Sequence, residues 1–280
     1  MLTVRDPLEL QRLVSMRPRP LVLVPTMGAL HEGHVALVRR AKTLAGSSGT
    51  TTASLFVNPA QFGPSEDFER YPRPFDRDSD LLERNGCDLL FAPAASDMYY
   101  ADGSVQIVEN TLSTVMCGAS RPGHFSGVCT IVAKLFHLFD PDIAIFGAKD
   151  YQQFAIIRRM VRDLNFRVRL EAHPTVREPD GLALSSRNNY LNAEEREQAP
   201  IIQEVLQRAE KKVRAGRGSV AGLTEWMKTQ IELAPLAHID YAVAVDPENL
   251  QPAVRLRPPM LLAAAVFFGK TRLIDNRLVE

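Results

Sequence analysis

The chain has 280 residues, of which 45% are hydrophobic, enough to bury one large core or two smaller ones. Thirty-three Lys and Arg balance thirty-three Asp and Glu, which argues against a nucleic-acid or anionic-membrane surface as the main partner and for a small molecule. Cys87, Cys117 and Cys129 are widely spaced with no C-x-x-C pair, a pattern of packed, reduced thiols in the cytosol rather than a disulfide framework.

The first residues carry Arg5, Asp6 and Glu9 with no long apolar core behind them, so no signal peptide is expected. The longest apolar run, Met260–Phe268, is too short to span a bilayer. Residues 3–16 place Leu8, Leu10, Leu13 and Val14 at helical spacing behind Asp6 and Pro7, predicting an amphipathic lead-in helix.

Leu21–Val24 reads as a strand that stops at Pro25, turns through Gly28 and enters a helix over 34–45, with His31 and His34 at its start. Glycines at 28 and 33 let backbone approach a ligand closely. The first helical turn offers unpaired N–H groups and the positive end of a dipole, a setting for phosphate. Two imidazoles three residues apart add donors for charge that develops during reaction. Zinc-protease helices space their histidines by four, and a dinucleotide loop needs G-x-G-x-x-G; neither pattern is present. Taken alone, a structural turn with two solvated histidines is the alternative reading.

A second strand over 51–57 ends in NPAQFGPSEDFERYPRP, polar, aromatic and proline-rich. Ligands of open parallel sheets lie at the carboxyl ends of strands, which makes Asn58 and Gln61 candidates to bind a small polar substrate; an ordinary surface loop is the alternative. A charged helix over 76–85, a third strand over 89–92, and a strand with a short turn within 105–116 follow. Arg121, His124 and Ser126 then sit in a Gly/Pro-rich loop before a helix carrying Val128, Ile131, Val132, Leu135 and Phe136. Arg121 and His124 are candidate site residues, whereas His137, His173 and His238 read as structural.

Strand 142–146 runs into GAKDYQQ, where Gly147 permits the turn, Lys149 supplies a mobile positive charge and Asp150 is placed to cap a helix. Of Gln152 and Gln153, one is expected to point inward and the other to be solvated. After a strand over 167–172, Ser185, Ser186 and Arg187 form a compact donor set for phosphate oxygens, or else an N-cap, with Asn192 the alternative cap. From Glu194 onward the pattern predicts helices over 194–214 and 219–233, then strands over 239–245, 260–268 and 271–274. The fold class expected is α/β: a Rossmann-like parallel sheet with helices on both faces over 1–176, then a smaller α+β domain over 177–280 closing over nucleotide.

Four segments, PTMGALHEGH, FVNPAQFGPSEDFERYPRP, GAKDYQQ and PTVREPDGLALSSRN, occur in an order and at separations that closely resemble the pantoate–β-alanine ligase family of the nucleotidyltransferase superfamily, over nearly the full chain. The resemblance implies an ATP loop of Met27, Gly28, Ala29, Leu30, His31, Glu32, Gly33 and His34, with His34 as proton donor and His31 its companion on the phosphates. It implies further ATP contacts at Gly147, Ala148, Lys149, Asp150, Val176, Leu184, Ser185, Ser186 and Arg187. Lys149 and Arg187 carry most of the positive charge. Gln61 would lie between pantoate and β-alanine, with Gln153 on pantoate. Magnesium on the β- and γ-phosphates with few protein ligands, a cytoplasmic location and a homodimer are implied as well.

Ala148 where Glu or Gln is usual, Leu184 where Met is usual and Ala36 where Ser is common depart from the family pattern. None removes an acid–base or charged group, so affinity is expected to change more than chemistry. The reaction implied is ATP-dependent condensation of pantoate with β-alanine through an acyl adenylate. A nucleotidyltransferase that stops at a nucleotide-linked product, and a nucleotide-binding regulator without catalysis, are the rival classes.

Overall fold

The computed structural model describes residues 1–64 and 66–280. It contains two compact units, one of Met1–Asn110, Arg121–Ala148 and Ile156–Pro174, the other of Thr111–Ser120, Lys149–Ala155 and Thr175–Glu280. Among the described residues the strands are β1 (Leu2–Val4), β2 (Leu21–Thr26), β3 (Thr50–Leu55), β4 (Leu89–Phe91), β5 (Ile143–Gly147), β6 (Arg169–His173), β7 (Ala237–Val245), β8 (Met260–Phe268) and β9 (Thr271–Val279). The helices are α1 (Pro7–Ser15), α2 (Glu32–Ala45), α3 (Phe75–Arg84), α4 (Ala95–Met98), α5 (Cys117–Ser120), α6 (His124–Phe139), α7 (Tyr151–Asp163), α8 (Ala193–Gln198), α9 (Ile201–Ala215) and α10 (Val220–Ile231). None of these helices is long and apolar enough to cross a membrane.

The first unit is a parallel sheet in the order β1-β4-β3-β2-β5-β6. Alternation along the strands supplies two apolar faces. Val22 and Val24 of β2 and Leu90 of β4 pack with Leu37, Val38 and Ala41 of α2 and Leu82 of α3. Phe91, one residue on and so on the other face, meets Phe139 of α6 edge-on at 5.9 Å between ring centroids. From β2 the chain builds outward to β3 and β4 on one side, then returns to add β5 and β6 on the other. The loops after β2 and β5 therefore open at the point where strand order reverses, the usual ligand crevice of such sheets.

The second unit is an antiparallel sheet in the order β7-β8-β9. Val205, Leu206 and Val213 of α9 and Leu223, Met227 and Ile231 of α10 pack against Leu262, Ala264 and Val266 of β8. As the central strand, β8 is covered on both faces, which explains its unbroken apolar sequence.

Several expected elements are revised. A short edge strand, β1, precedes the lead-in helix and pairs with β4. No strand forms between residues 105 and 110; the Ile107 N–H donates instead to the Thr130 hydroxyl at 3.0 Å, and Val105 is exposed. The helix expected over 194–214 is two helices, α8 and α9, because Pro200 lacks the N–H that would carry the ladder through. Strand β9 continues five residues beyond the expected end at residue 274, and there Asp275 is buried. It is sustained by Arg177, whose guanidinium forms a two-pronged pair with the Asp275 carboxylate at 2.7 and 3.0 Å.

Candidate active site

The turn after β2 carries two consecutive left-handed residues, Gly28 at φ +85° and Ala29 at φ +51°. This conformation favours glycine and strains alanine, so the turn needs an external hold. Asp78 of α3 supplies it: its buried carboxylate accepts from the Leu30 N–H at 2.9 Å, and the Ala29 N–H also favours its charged form. The Arg77 guanidinium donates to the Leu30 carbonyl at 3.3 Å. Burial raises the pKa of Asp78 above the ordinary carboxylate value, against the opposing pull of the two N–H groups and Arg77.

Helix α2 begins at Glu32 rather than at residue 34, with His31 as its N-cap. His31 Nδ1 accepts from the Gly33 N–H at 3.1 Å, and His34 Nδ1 accepts from the His31 N–H at 3.4 Å. This is a capping box made of imidazoles, their centroids 4.1 Å apart. The His34 and Val35 N–H groups donate to the His31 carbonyl. Of the N–H groups expected to be unpaired in this turn, those of Gly33, His34 and Val35 all donate to His31. A ring nitrogen that accepts carries no proton, so each neutral imidazole holds its proton on Nε2. Glu32 pairs with Arg39 at 2.5 Å.

The loop after β3 closes on Gln61. Asn58 spends all four hydrogen-bonding positions of its amide on protein: Oδ1 accepts from the Ala60 N–H at 3.3 Å and the Tyr99 hydroxyl at 2.7 Å, while Nδ2 donates to Gln61 Oε1 and the Gly127 carbonyl, both at 3.1 Å. Asn58 is therefore a support for Gln61. Burial pushes the Tyr99 phenol up to about 12, despite the Asn58 bond, so it stays a donor at neutral pH. Gln61 turns its Nε2 to the Met27 sulfur at 2.8 Å, a weak acceptor.

Arg121 and His124 serve the same loop. Arg121 only donates, so its contact with His124 Nε2 at 3.1 Å makes that nitrogen the acceptor, and Nδ1–H donates to the Gln61 carbonyl at 2.8 Å. Glu66 grips the guanidinium with both oxygens at 2.6 Å. Burial works to raise the Glu66 pKa, but the bond and charge of Arg121 outweigh it and hold the carboxyl below its ordinary value. Gly127 of α6 lies under this loop, where a Cβ would stand 2.3 Å from the Ala60 carbonyl oxygen.

In the second unit, Lys149 occupies a 3-10 turn spanning Ala148–Asp150, its Nζ 3.9 Å from the Asp150 carboxylate. Its carbonyl accepts from Asn276 at 2.7 Å. Lys149, Ser185, Asn188 and Asp275 line one small recess with Leu182 and Leu273. Ser185 caps the turn Ser186–Tyr190 by accepting from the Arg187 N–H at 3.3 Å, while Asn192 caps α8 through a capping box with Glu195. The Leu184 N–H donates to the Val176 carbonyl at 3.0 Å.

Of the two glutamines at the start of α7, one is buried on protein and the other is partly exposed. Gln152 is buried, accepting from the Cys117 N–H and donating to the Leu112 and Val115 carbonyls, and Gln153 is half-buried. Asp78, Arg77, Tyr99 and Gly127 were not marked by motif reading. Asp78 left one trace, an acidic residue three after Phe75 and four before Leu82, on the apolar stripe of α3.

Comparison with known proteins extends these observations to the whole chain. The pantoate-beta-alanine ligase family profile matches residues 3–278. A pantothenate synthetase of Akkermansia muciniphila is 51% identical over 255 residues, covering 91% of this chain and 90% of the relative. The crystal structure of pantothenate synthetase from Thermus thermophilus superposes with a TM-score of 0.93 at 45% identity, covering 100% of this chain and 99% of the other. A pantoate-beta-alanine ligase from Francisella tularensis, in complex with beta-gamma ATP and beta-alanine, gives 0.80 at 31% identity, with 99% and 97% covered. The chain belongs to the pantoate-beta-alanine ligase family.

Proposed function

We propose that this protein condenses pantoate with β-alanine at the expense of ATP, through a pantoyl adenylate. The observation that carries the proposal is the imidazole capping box at the start of α2, which fixes two Nε2–H donors in a chain of this ligase family. A carboxylate resists attack by an amine because its leaving oxygen is too basic. One pantoate carboxylate oxygen attacks the α-phosphorus of ATP, and pyrophosphate leaves. The β-alanine amine then attacks the carbonyl carbon, its proton is lost, and AMP leaves.

The protein's share of the first step is positioning and charge stabilisation. His34 and His31 donate from Nε2 to phosphate oxygens, and Lys149 and Arg187 neutralise growing negative charge. Ser185 and Ser186 add hydroxyl donors. Gly28, Gly33, Gly147, Ala148, Asp150, Val176 and Leu184 complete the ATP contacts in this proposal, and Gln153 binds pantoate. Gln61 reaches a pantoate oxygen by exchanging the weak Met27 sulfur contact for a stronger acceptor. Asn58, Arg121 and His124 keep Gln61 in place through the bonds described above.

Among the described residues no group of three or more His, Cys, Asp or Glu side chains is arranged to hold a metal ion. We therefore assign magnesium to the triphosphate as part of the substrate. A cytoplasmic homodimer completes the proposal, supported by the family resemblance and by three buried, unpaired cysteines. The test is product analysis with purified protein. Pyrophosphate should form from ATP and pantoate alone, and AMP should appear only on adding β-alanine. A stable nucleotide-linked product, or ATP binding without pyrophosphate, would sink the assignment.

A further inference from the structure

We propose that Asp78 is a positioning residue for the histidine turn, setting the tautomer and placement of His31 and His34 without itself touching substrate; this rests on the proposed function for its kinetic consequence only. The turn between β2 and α2 has little of its own to hold it. Its two consecutive left-handed residues, Gly28 and Ala29, put strain on the alanine. The hold comes from a carboxylate of α3. Asp78 accepts from the Leu30 N–H at 2.9 Å, the Ala29 N–H favours its charged form, and it is 1% exposed.

Three observations separate this contact from an ordinary loop anchor. The carboxylate lies against Gly28, where a Cβ would stand 3.1 Å from Oδ2, so the turn and α3 are fitted at backbone distance. Arg77, the preceding residue, holds the Leu30 carbonyl at 3.3 Å, so both polar groups of the Leu30 peptide are fixed from α3. The next residue in the chain is His31, whose N–H and Nδ1 are both members of the capping box. Releasing Leu30 frees the His31 backbone, and the Nδ1 acceptors that keep the protons on Nε2 go with it. The Leu30 N–H thus serves to hold the turn that carries the histidines.

The experiment compares wild-type protein with Asp78→Asn and Asp78→Glu, reading nitrogen-15 shifts of His31 and His34 by NMR alongside pyrophosphate release. In the wild type both rings should report an unprotonated Nδ1 and a protonated Nε2. Asp78→Asn should move both rings toward mixed tautomers and lower kcat for pyrophosphate release by about tenfold or more, with a smaller change in KM for β-alanine. Asp78→Glu, which keeps the charge, should retain the wild-type ring signals and most of the rate. Should Asp78→Asn fail to fold, Arg77→Met, which frees the same peptide from its carbonyl side, is read by the same ring signals. Wild-type histidine signals in a folded Asp78→Asn or Arg77→Met protein overturn the proposal, whatever the activity. If the wild type releases no pyrophosphate, the functional reading fails, and the tautomer readout still decides the role of Asp78.

Discussion

Replacing Gly127 by alanine tests how tightly the Gln61 loop is seated. A Cβ at that position would lie 2.3 Å from the Ala60 oxygen, 2.5 Å from the Ala60 carbonyl carbon and 2.7 Å from the Gln61 nitrogen. Ordinary contact begins about 1 Å further out, and all three atoms are backbone, so no side chain can swing aside to make room. Either α6 or the loop must move by about that amount. The loop is the softer of the two, a single 3-10 turn over Pro59–Gln61, and Gly127 also accepts from Asn58. Overpacking of this kind costs about 1–3 kcal/mol of stability. A displacement near 1 Å of a substrate-orienting group costs up to about a hundredfold in rate. Steady-state kinetics should show a raised KM for pantoate and a depressed kcat, with a lesser effect on KM for ATP, and thermal unfolding should shift down. A Gly127→Ala enzyme with wild-type KM for pantoate and wild-type melting temperature would refute the claim that this glycine seats Gln61.

Other predictions concern charge and protonation. His34→Ala and Lys149→Ala should each lower turnover by at least about tenfold through lost transition-state contacts; full activity in both removes those roles. Because the folded pKa of Glu66 is depressed, its pair with Arg121 contributes stability above the ordinary value of 4.5, and the contribution is lost as pH falls through the folded value. Glu66→Gln should therefore cost about 1 kcal/mol at pH 7, given the pair's partial exposure, and progressively less as pH falls below 4.5; a gap that does not shrink on acidification contradicts it. Burial pushes the Cys87 and Cys129 thiols up to about 12, so both should resist iodoacetamide at pH 8 in the folded protein, and rapid alkylation of either would show the packing to be wrong.

The sheet of the first unit was legible because its strands are short apolar runs broken by Gly and Pro, and its helices carry apolar residues at helical spacing. The central antiparallel strand β8 was legible for the same reason. Pattern failed where a polar residue inside an element is neutralised from elsewhere in the chain: Asp275 ended the expected strand early because Arg177, 98 residues away, is its partner. The segment over 105–110 had the alternation of a strand but no neighbour to pair with, and alternation alone does not supply one.

At the candidate site, motifs single out His31, His34, Gln61 and Lys149, yet not the groups that hold them. Asn58, Arg121 and His124, expected on substrate, make hydrogen bonds that support Gln61. Asp78 and Gly127 escaped notice because their importance lies in backbone groups they approach, which no side-chain pattern records. The histidine spacing predicts donors at an open helix start; the rings close that start and gain a defined tautomer by doing so.

The central claim is that pantoate becomes reactive by taking the nucleotide onto its own carboxylate. Pantoate labelled with oxygen-18 in both carboxyl oxygens, incubated with ATP, β-alanine and the enzyme, tests this directly. Passage through the adenylate leaves one labelled oxygen in the phosphate of AMP and one in the amide of the product. AMP carrying no label, with both heavy oxygens accounted for elsewhere, would contradict the mechanism.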